Sequence, residues 1–125
     1  MLNIIEQWLR NKIDNKEIGK YLSAIGINSV VIYGAGKIGE LLYDDLLQSG
    51  IIDIECFIDK NASSLYYGID DVNIYSLEEV DKVQKVDAII ITPYKAFTNI
   101  KEELKKRLSF ETKYISFDDI IWKVE

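Results

Sequence analysis

The segment that most restricts this chain is Val30-Val31-Ile32-Tyr33-Gly34-Ala35-Gly36-Lys37-Ile38-Gly39, where a β-branched apolar run passes directly into three spaced glycines. A run that is apolar at successive positions, not alternate ones, reads as a strand covered on both faces. The glycines match G-x-G-x-x-G, and after them Ile38, Leu41, Leu42 and Leu46 recur at helical spacing until Gly50 ends the helix. Strand, glycine turn and helix in that order aim unpaired backbone N–H groups and the positive helix end at a phosphate. The glycines have separate duties: Gly34 allows the tight turn, Gly36 lets a pyrophosphate approach bare backbone, and Gly39 lets the helix pack close to the strand. Ala35 and Ile38 complete the loop, and Lys37 adds a cation beside it.

A second buried strand, Ile54 to Ile58, ends at Asp59, which stands about 20 residues beyond the last glycine and so where an acidic residue can accept hydrogen bonds from an adenosine ribose. The alternative is that Asp59 merely ends the strand and caps the next loop. Lys60 and Asn61 follow it and count as candidate ligand contacts. The most strand-like stretch, Asp87 to Thr92, stops at Pro93. Thr92-Pro93 would lie at the crevice edge where ligands of open α/β sheets sit, although the same pair is also an ordinary way to end a strand.

Around this centre the periodicity predicts two leading helices. The first buries Ile5, Trp8 and Leu9, and the second opens on an Asp14/Glu17 capping box, buries Ile18, Tyr21, Leu22 and Ile25, and stops at Gly26. Residues 60–71 read as a long loop before a weak strand at Val72 to Tyr75. A Ser76/Glu79 capping box opens a short helix to about Val83; a helix over Tyr94 to Leu108 carries Phe97, Ile100, Leu104 and Leu108; a fifth strand spans Lys113 to Phe117 and a last helix Asp118 to Glu125. Strands alternating with helices at short connections predict an α/β fold, a doubly wound parallel sheet of about five strands in the order 3-2-1-4-5. A single domain over 1–125 is expected, with leading helices in 1–27 and the core in 28–125.

Composition narrows the chemistry. With 21 acidic against 15 basic residues the formal charge is -6, which argues against nucleic acid and against anionic membranes. Lys105-Lys106-Arg107 reads as a solvated helix face. No histidine and one cysteine make a metal site an unlikely expectation, and Cys56, inside an apolar strand, reads as a small buried hydrophobe, not a reactive thiol. No apolar run is long enough to span a bilayer and the N-terminus lacks the pattern of a secretion signal, so a cytoplasmic protein without membrane insertion is expected.

With those residues in place, the chain resembles the Rossmann-type nucleotide-binding modules of bacterial surface-polysaccharide biosynthesis proteins: nucleotide-sugar dehydratases, the N-terminal domains of sugar acyltransferases, and glycosyltransferase-associated domains. The likeness is carried by residues 30–39, by Phe57-Ile58-Asp59-Lys60-Asn61, by Tyr75-Ser76-Leu77-Glu78-Glu79, by residues 87–92 and by Ile115 to Ile121. It implies NAD on Gly34, Gly36, Gly39 and Asp59, or a UDP-sugar or coenzyme A contacted by the same loop and by Asp59 and Asn61. A third reading is an interaction module that has lost its ligand, with Trp8 on a docking surface. The implied partners are a nucleotide ligand, and a second copy or a partner enzyme. No residue pairing suited to proton transfer is visible: Tyr33 and Lys37 are the sole Tyr-x-x-x-Lys match, and they straddle the glycine loop. A module that is not a self-sufficient enzyme is therefore expected.

Overall fold

The computed structural model describes residues 3–62 and 72–124. Two helices, α1 (Ile4–Ile13) and α2 (Ile18–Ala24), lead into β1 (Ser29–Tyr33), α3 (Lys37–Ser49) and β2 (Asp53–Ile58). A two-residue β3 (Ile74–Tyr75), a 3-10 helix (Leu77–Lys82), β4 (Ala88–Ile91), α4 (Phe97–Arg107), β5 (Lys113–Ser116) and α5 (Phe117–Lys123) follow. The strands form one 5-stranded sheet in the order β3-β2-β1-β4-β5, and every pairing is parallel. This is the predicted order.

The apolar runs form the middle of the sheet because only a strand covered on both faces can bury every side chain. In β1 the alternation sends Val30 and Ile32 to the layer made by α1, α2, α3 and α5, and Val31 and Tyr33 to the layer made by α4 and the 3-10 helix. Ala88 and Ile90 follow Val30 and Ile32, while Ile89 and Ile91 follow Val31 and Tyr33, in register. Two cores result, one on each face.

Several local expectations are corrected. In α1 only Trp8 of the predicted stripe is buried; Ile5 and Leu9 are exposed, and the inward face is Ile4, Trp8 and Asn11. Asp14 and Glu17 make no capping box: Asp14 is the C-cap of α1, and Glu17 precedes α2 without a side-chain bond. Ile25 and Leu41 are exposed as well. The Gly26 stop does form, at φ 88, with Ile27 N–H donating to Leu22 O at 2.9 Å and Gly26 N–H to Ser23 O at 3.0 Å, the double bond pattern that satisfies a helix end. The Ser76/Glu79 box is also present.

Strand and helix ends shift by a residue or two. The third strand is shorter than predicted and Val72 makes only an isolated bridge; Asp87 and Thr92 lie just outside β4; the helix expected from Tyr94 begins as a 3-10 turn, Tyr94–Ala96, before α4; and α5 starts at Phe117. Most of the predicted 60–71 loop lies outside the described residues. Asp87 is no candidate base, because its Oδ2 accepts from the N–H groups of Asn28 and Ser29 at 2.8 and 3.2 Å and so fastens the start of β1 to that of β4.

Trp8 is a core residue, not a docking surface. Its ring meets Phe117 edge to face at 5.0 Å and its indole N–H donates to Asp45 Oδ2 at 2.8 Å, while Asn11 Nδ2 donates to Ile121 O at 2.8 Å. These contacts tie α1 to α3 and α5. Trp8→Ala is expected to lower unfolding free energy by about 3–5 kcal/mol and Trp8→Phe, which keeps the ring but orphans Asp45, by about 1–3 kcal/mol, measured by urea denaturation. A loss below about 1 kcal/mol for the alanine variant would show that α1 is an ornament on the sheet.

Candidate functional site

The glycine loop joins the C-terminal end of β1 to the N-terminus of α3. Gly34 turns the chain at φ 100, a conformation that disfavours any residue with a Cβ, and such an atom would also run into Thr92 Oγ1. Gly34 N–H donates to Ile58 O at 2.7 Å, which anchors the turn on β2. Gly39, in the first turn of α3, lies so near the Gly34 carbonyl that any Cβ would overlap it. Gly36 differs. It is the N-cap of α3 with φ -78, and a Cβ there would meet nothing within 4 Å. The space beside Gly36 is therefore open, and the first N–H groups of α3 face it without intrahelical partners and without a side-chain cap.

This loop, the end of β2 and the end of β4 enclose one open cleft of about 460 Å³. The cleft is lined by every residue singled out from the sequence except Ala35, that is by Gly34, Gly36, Lys37, Ile38, Gly39, Asp59, Lys60, Asn61, Thr92 and Pro93. Ala35 is buried, and its N–H donates to Asp59 Oδ2 at 2.8 Å. The other carboxylate oxygen, Oδ1, accepts from Asn61 N–H at 2.8 Å. Asp59 thus straps the glycine loop to β2 and caps the turn after it, which is the cap expected of a strand-ending aspartate together with a contact that no sequence spacing revealed. An ionised carboxylate offers about four acceptor positions, so two remain toward the cleft.

Thr92 is nearly fully buried and holds the floor. Its Oγ1 and its N–H both donate to Tyr33 O, at 2.8 and 3.0 Å, so β4 is locked to β1 at the point where the two chains diverge. Tyr33 lines the cleft and escaped the sequence reading, since the residue before the first glycine looked like one more apolar strand position. Burial raises its phenol pKa, and the charges of Asp59 and Glu103 raise it further, so Tyr33 stays neutral. Among the described residues no group of three or more acidic or cysteine side chains could hold a metal ion.

A doubly wound parallel sheet with this loop at its switch point defines a Rossmann-like α/β domain. The chain belongs to the C2185-like, N-terminal family, whose pattern it matches over residues 26–116. No curated protein matches it. Among solved structures it is similar to RSP, a Rex-family repressor, with 16% identity and a TM-score of 0.56, covering 78% of this chain and 56% of that one. RSP in complex with beta-NAD+ and operator DNA matches with 18% identity and a TM-score of 0.52, over 78% of this chain and 53% of the other. Quinate dehydrogenase from Corynebacterium glutamicum in complex with NAD matches with 17% identity and a TM-score of 0.41, over 62% and 32%. The chain thus spans about half the length of the repressor structures.

One expectation is overturned here. Net charge was taken to exclude nucleic acid, yet a protein sharing this fold is seen on operator DNA. The physical reason is that net charge averages over a whole surface, while a nucleic-acid contact needs only a local patch or a neighbouring domain. No helix among the described residues is long and apolar enough to cross a membrane.

Cys56 sits in β2, fully buried, and burial, aided by the Glu55 charge, pushes its thiol from 9.0 up to about 12. Because the folded-state value is the higher one, the buried neutral thiol contributes its full stability below pH 9.0 and loses it as pH rises toward about 12. Ellman's reagent at pH 8 is expected to leave the native thiol untouched and to titrate it in denaturant. Between pH 9 and 12 the wild type should lose more stability than Cys56→Ala; equal losses would mean that the thiolate is accommodated.

Proposed function

We propose that the chain is a nucleotide-binding module that holds the phosphates of NAD(H) against its glycine loop, and that it works within a larger protein or beside a partner enzyme without complete catalytic machinery of its own. The observation that carries this reading is the open space at Gly36. The neighbouring glycines are filled by contacts with Thr92 and with the loop's own carbonyl, so fold packing explains them. Nothing in the fold requires a glycine at position 36. A phosphate set against the bare backbone and the α3 N-terminus does require it.

The remaining groups suit a dinucleotide. Lys37 lies beside the phosphate position, Asp59 keeps acceptor positions for a ribose hydroxyl, and the Thr92-Pro93 edge bounds the place for a base or nicotinamide. Support also comes from the Rex-family repressor, which has this fold and is seen with beta-NAD+. NAD, when bound, would supply hydride chemistry, but the cleft has no histidine and Tyr33 is kept neutral by burial, so this chain's own residues bind and orient.

A second ligand class has one observation in its favour. Both Asp59 oxygens already serve backbone N–H groups, which weakens the ribose role and suits a UDP-sugar or coenzyme A contacted through Lys60 and Asn61. A link to surface-polysaccharide or nucleotide-sugar metabolism rests on the sequence resemblance alone.

A thermal-shift panel of NAD, NADP, UDP-sugars and acetyl-CoA separates these readings, since a ligand at a hundredfold excess over its Kd stabilises by about 2.7 kcal/mol. The largest shift is expected with NAD, and a smaller one with NADP, because the Asp59 carboxylate repels a 2′-phosphate. In Gly36→Val, whose backbone conformation valine adopts without strain, the shift should vanish while the apo melting temperature holds. Equal shifts in both proteins would remove the glycine loop as the site. Absorbance at the reduced nicotinamide band should stay flat when the chain is incubated with NAD and UDP-sugars.

A further inference from the structure

At the far edge of the sheet the molecule carries a second hollow of about 460 Å³, remote from the glycine loop. Four successive residues of one segment line it, Thr112, Lys113, Tyr114 and Ile115, which are the start and body of β5. Strand β5 is last in the sheet order and pairs only with β4. Lys113 N–H donates toward β4, to Asp87 O, so the two-residue alternation of a parallel strand turns the N–H and C=O of Tyr114 outward. Such an edge is a template for another strand.

The rim has a charge of its own. Lys101 and Lys105 from α4, Lys113 from β5 and Lys123 from α5 surround the hollow, against one acid, Asp119. Lys101 also lies 5.8 Å over the Phe97 ring. Among the described residues the ion pairs are made by Lys12, Lys20, Lys82 and Arg107, and by none of these four. In a chain of formal charge -6, unpaired lysines gathered on both sides of an open strand edge are an exception to the average.

We propose that the free edge of β5 accepts an extended, acidic polypeptide segment of a partner as a sixth strand. Backbone N–H and C=O groups on the edge need a partner that both donates and accepts, which a peptide does and a phosphodiester backbone does not. A second copy paired edge to edge would set these lysines against their own counterparts, so self-association at this face is opposed by like charge. Doubly wound sheets with a sixth strand carry it at this position, so the geometry leaves room for one.

The test uses the whole chain, labelled with nitrogen-15, and two synthetic peptides of about eight residues, the length of an ordinary strand, one alternating Glu and Val and one alternating Lys and Val. Amide signals of residues 112–116 are expected to shift with the acidic peptide, whose affinity should exceed that of the basic one by about tenfold or more. The double variant Lys105→Glu, Lys113→Glu, both exposed positions that leave the core untouched, should weaken the acidic peptide by at least about tenfold. Tyr114→Pro removes the outward N–H and should abolish binding, while Tyr114→Ala retains it. No shifts up to millimolar peptide, shifts mapping elsewhere, or indifference to the charge reversal would overturn the proposal. So would tighter binding of an oligo-dT strand at the same residues, or a dimer in sedimentation that hides the β5 edge.

Discussion

The contact on which the rest of this molecule depends is the approach of α3 to the glycine turn, where the Cα of Gly39 lies against the carbonyl of Gly34 with no room for a methyl group. A helix this close to the strand end directs its N-terminus at the cleft, and its buried residues Leu42, Tyr43 and Leu46 then land on the face of the sheet that holds Val30, Ile32 and Phe57. The crevice and one of the two cores are thus set by the same close approach. Loosening it would cost packing and aim together, which is why the loop cannot be treated as a detachable binding element.

Asp59 shows how one side chain can belong to both scaffold and site. Its charge strengthens the hydrogen bonds it accepts from Ala35 and Asn61, and those bonds hold the loop in the shape the cleft requires. The same bonds reduce what the carboxylate has left for a ligand. Acidic residues at this point of the fold are usually discussed through the ribose, but here the loop itself is the first claimant. Thr92 plays a parallel part on the other side, spending its hydroxyl on Tyr33 O so that the strands part at a defined place.

The parts of the fold legible in the sequence were those decided by burial on both faces. Val30 to Tyr33, Ile54 to Ile58 and Ala88 to Ile91 are apolar at every position, and no environment other than the middle of a covered sheet satisfies such runs. The leading helix was legible in place but not in orientation. Ile4, Ile5, Trp8, Leu9 and Ile13 cover too much of its circumference for periodicity to choose a face, and the choice was made by Phe117, Asp45 and Ile121, which lie far along the chain. Tyr33 was missed for a similar reason. A strand position before a glycine is apolar by habit, and only the packing against Asp59 and Glu103 reveals a hydroxyl in a charged setting. The glycine loop was legible residue by residue, but which glycines serve packing and which leaves space required coordinates.

Charge was the least transferable reading. A total of -6 describes a distant field, and at physiological ionic strength that field decays over roughly 8 Å, less than the width of this domain. Two surfaces farther apart than that act as independent objects. Lys37 and Lys60 at the glycine cleft, and the lysines along β5, are each felt by whatever comes within a few ångströms, whatever the sum over the rest of the chain. Partners of such a domain are selected patch by patch. Excluding a class of partner from the overall balance treats a screened, uneven surface as a uniform sphere, and a protein of this fold lying on operator DNA shows that the inference fails at its first step.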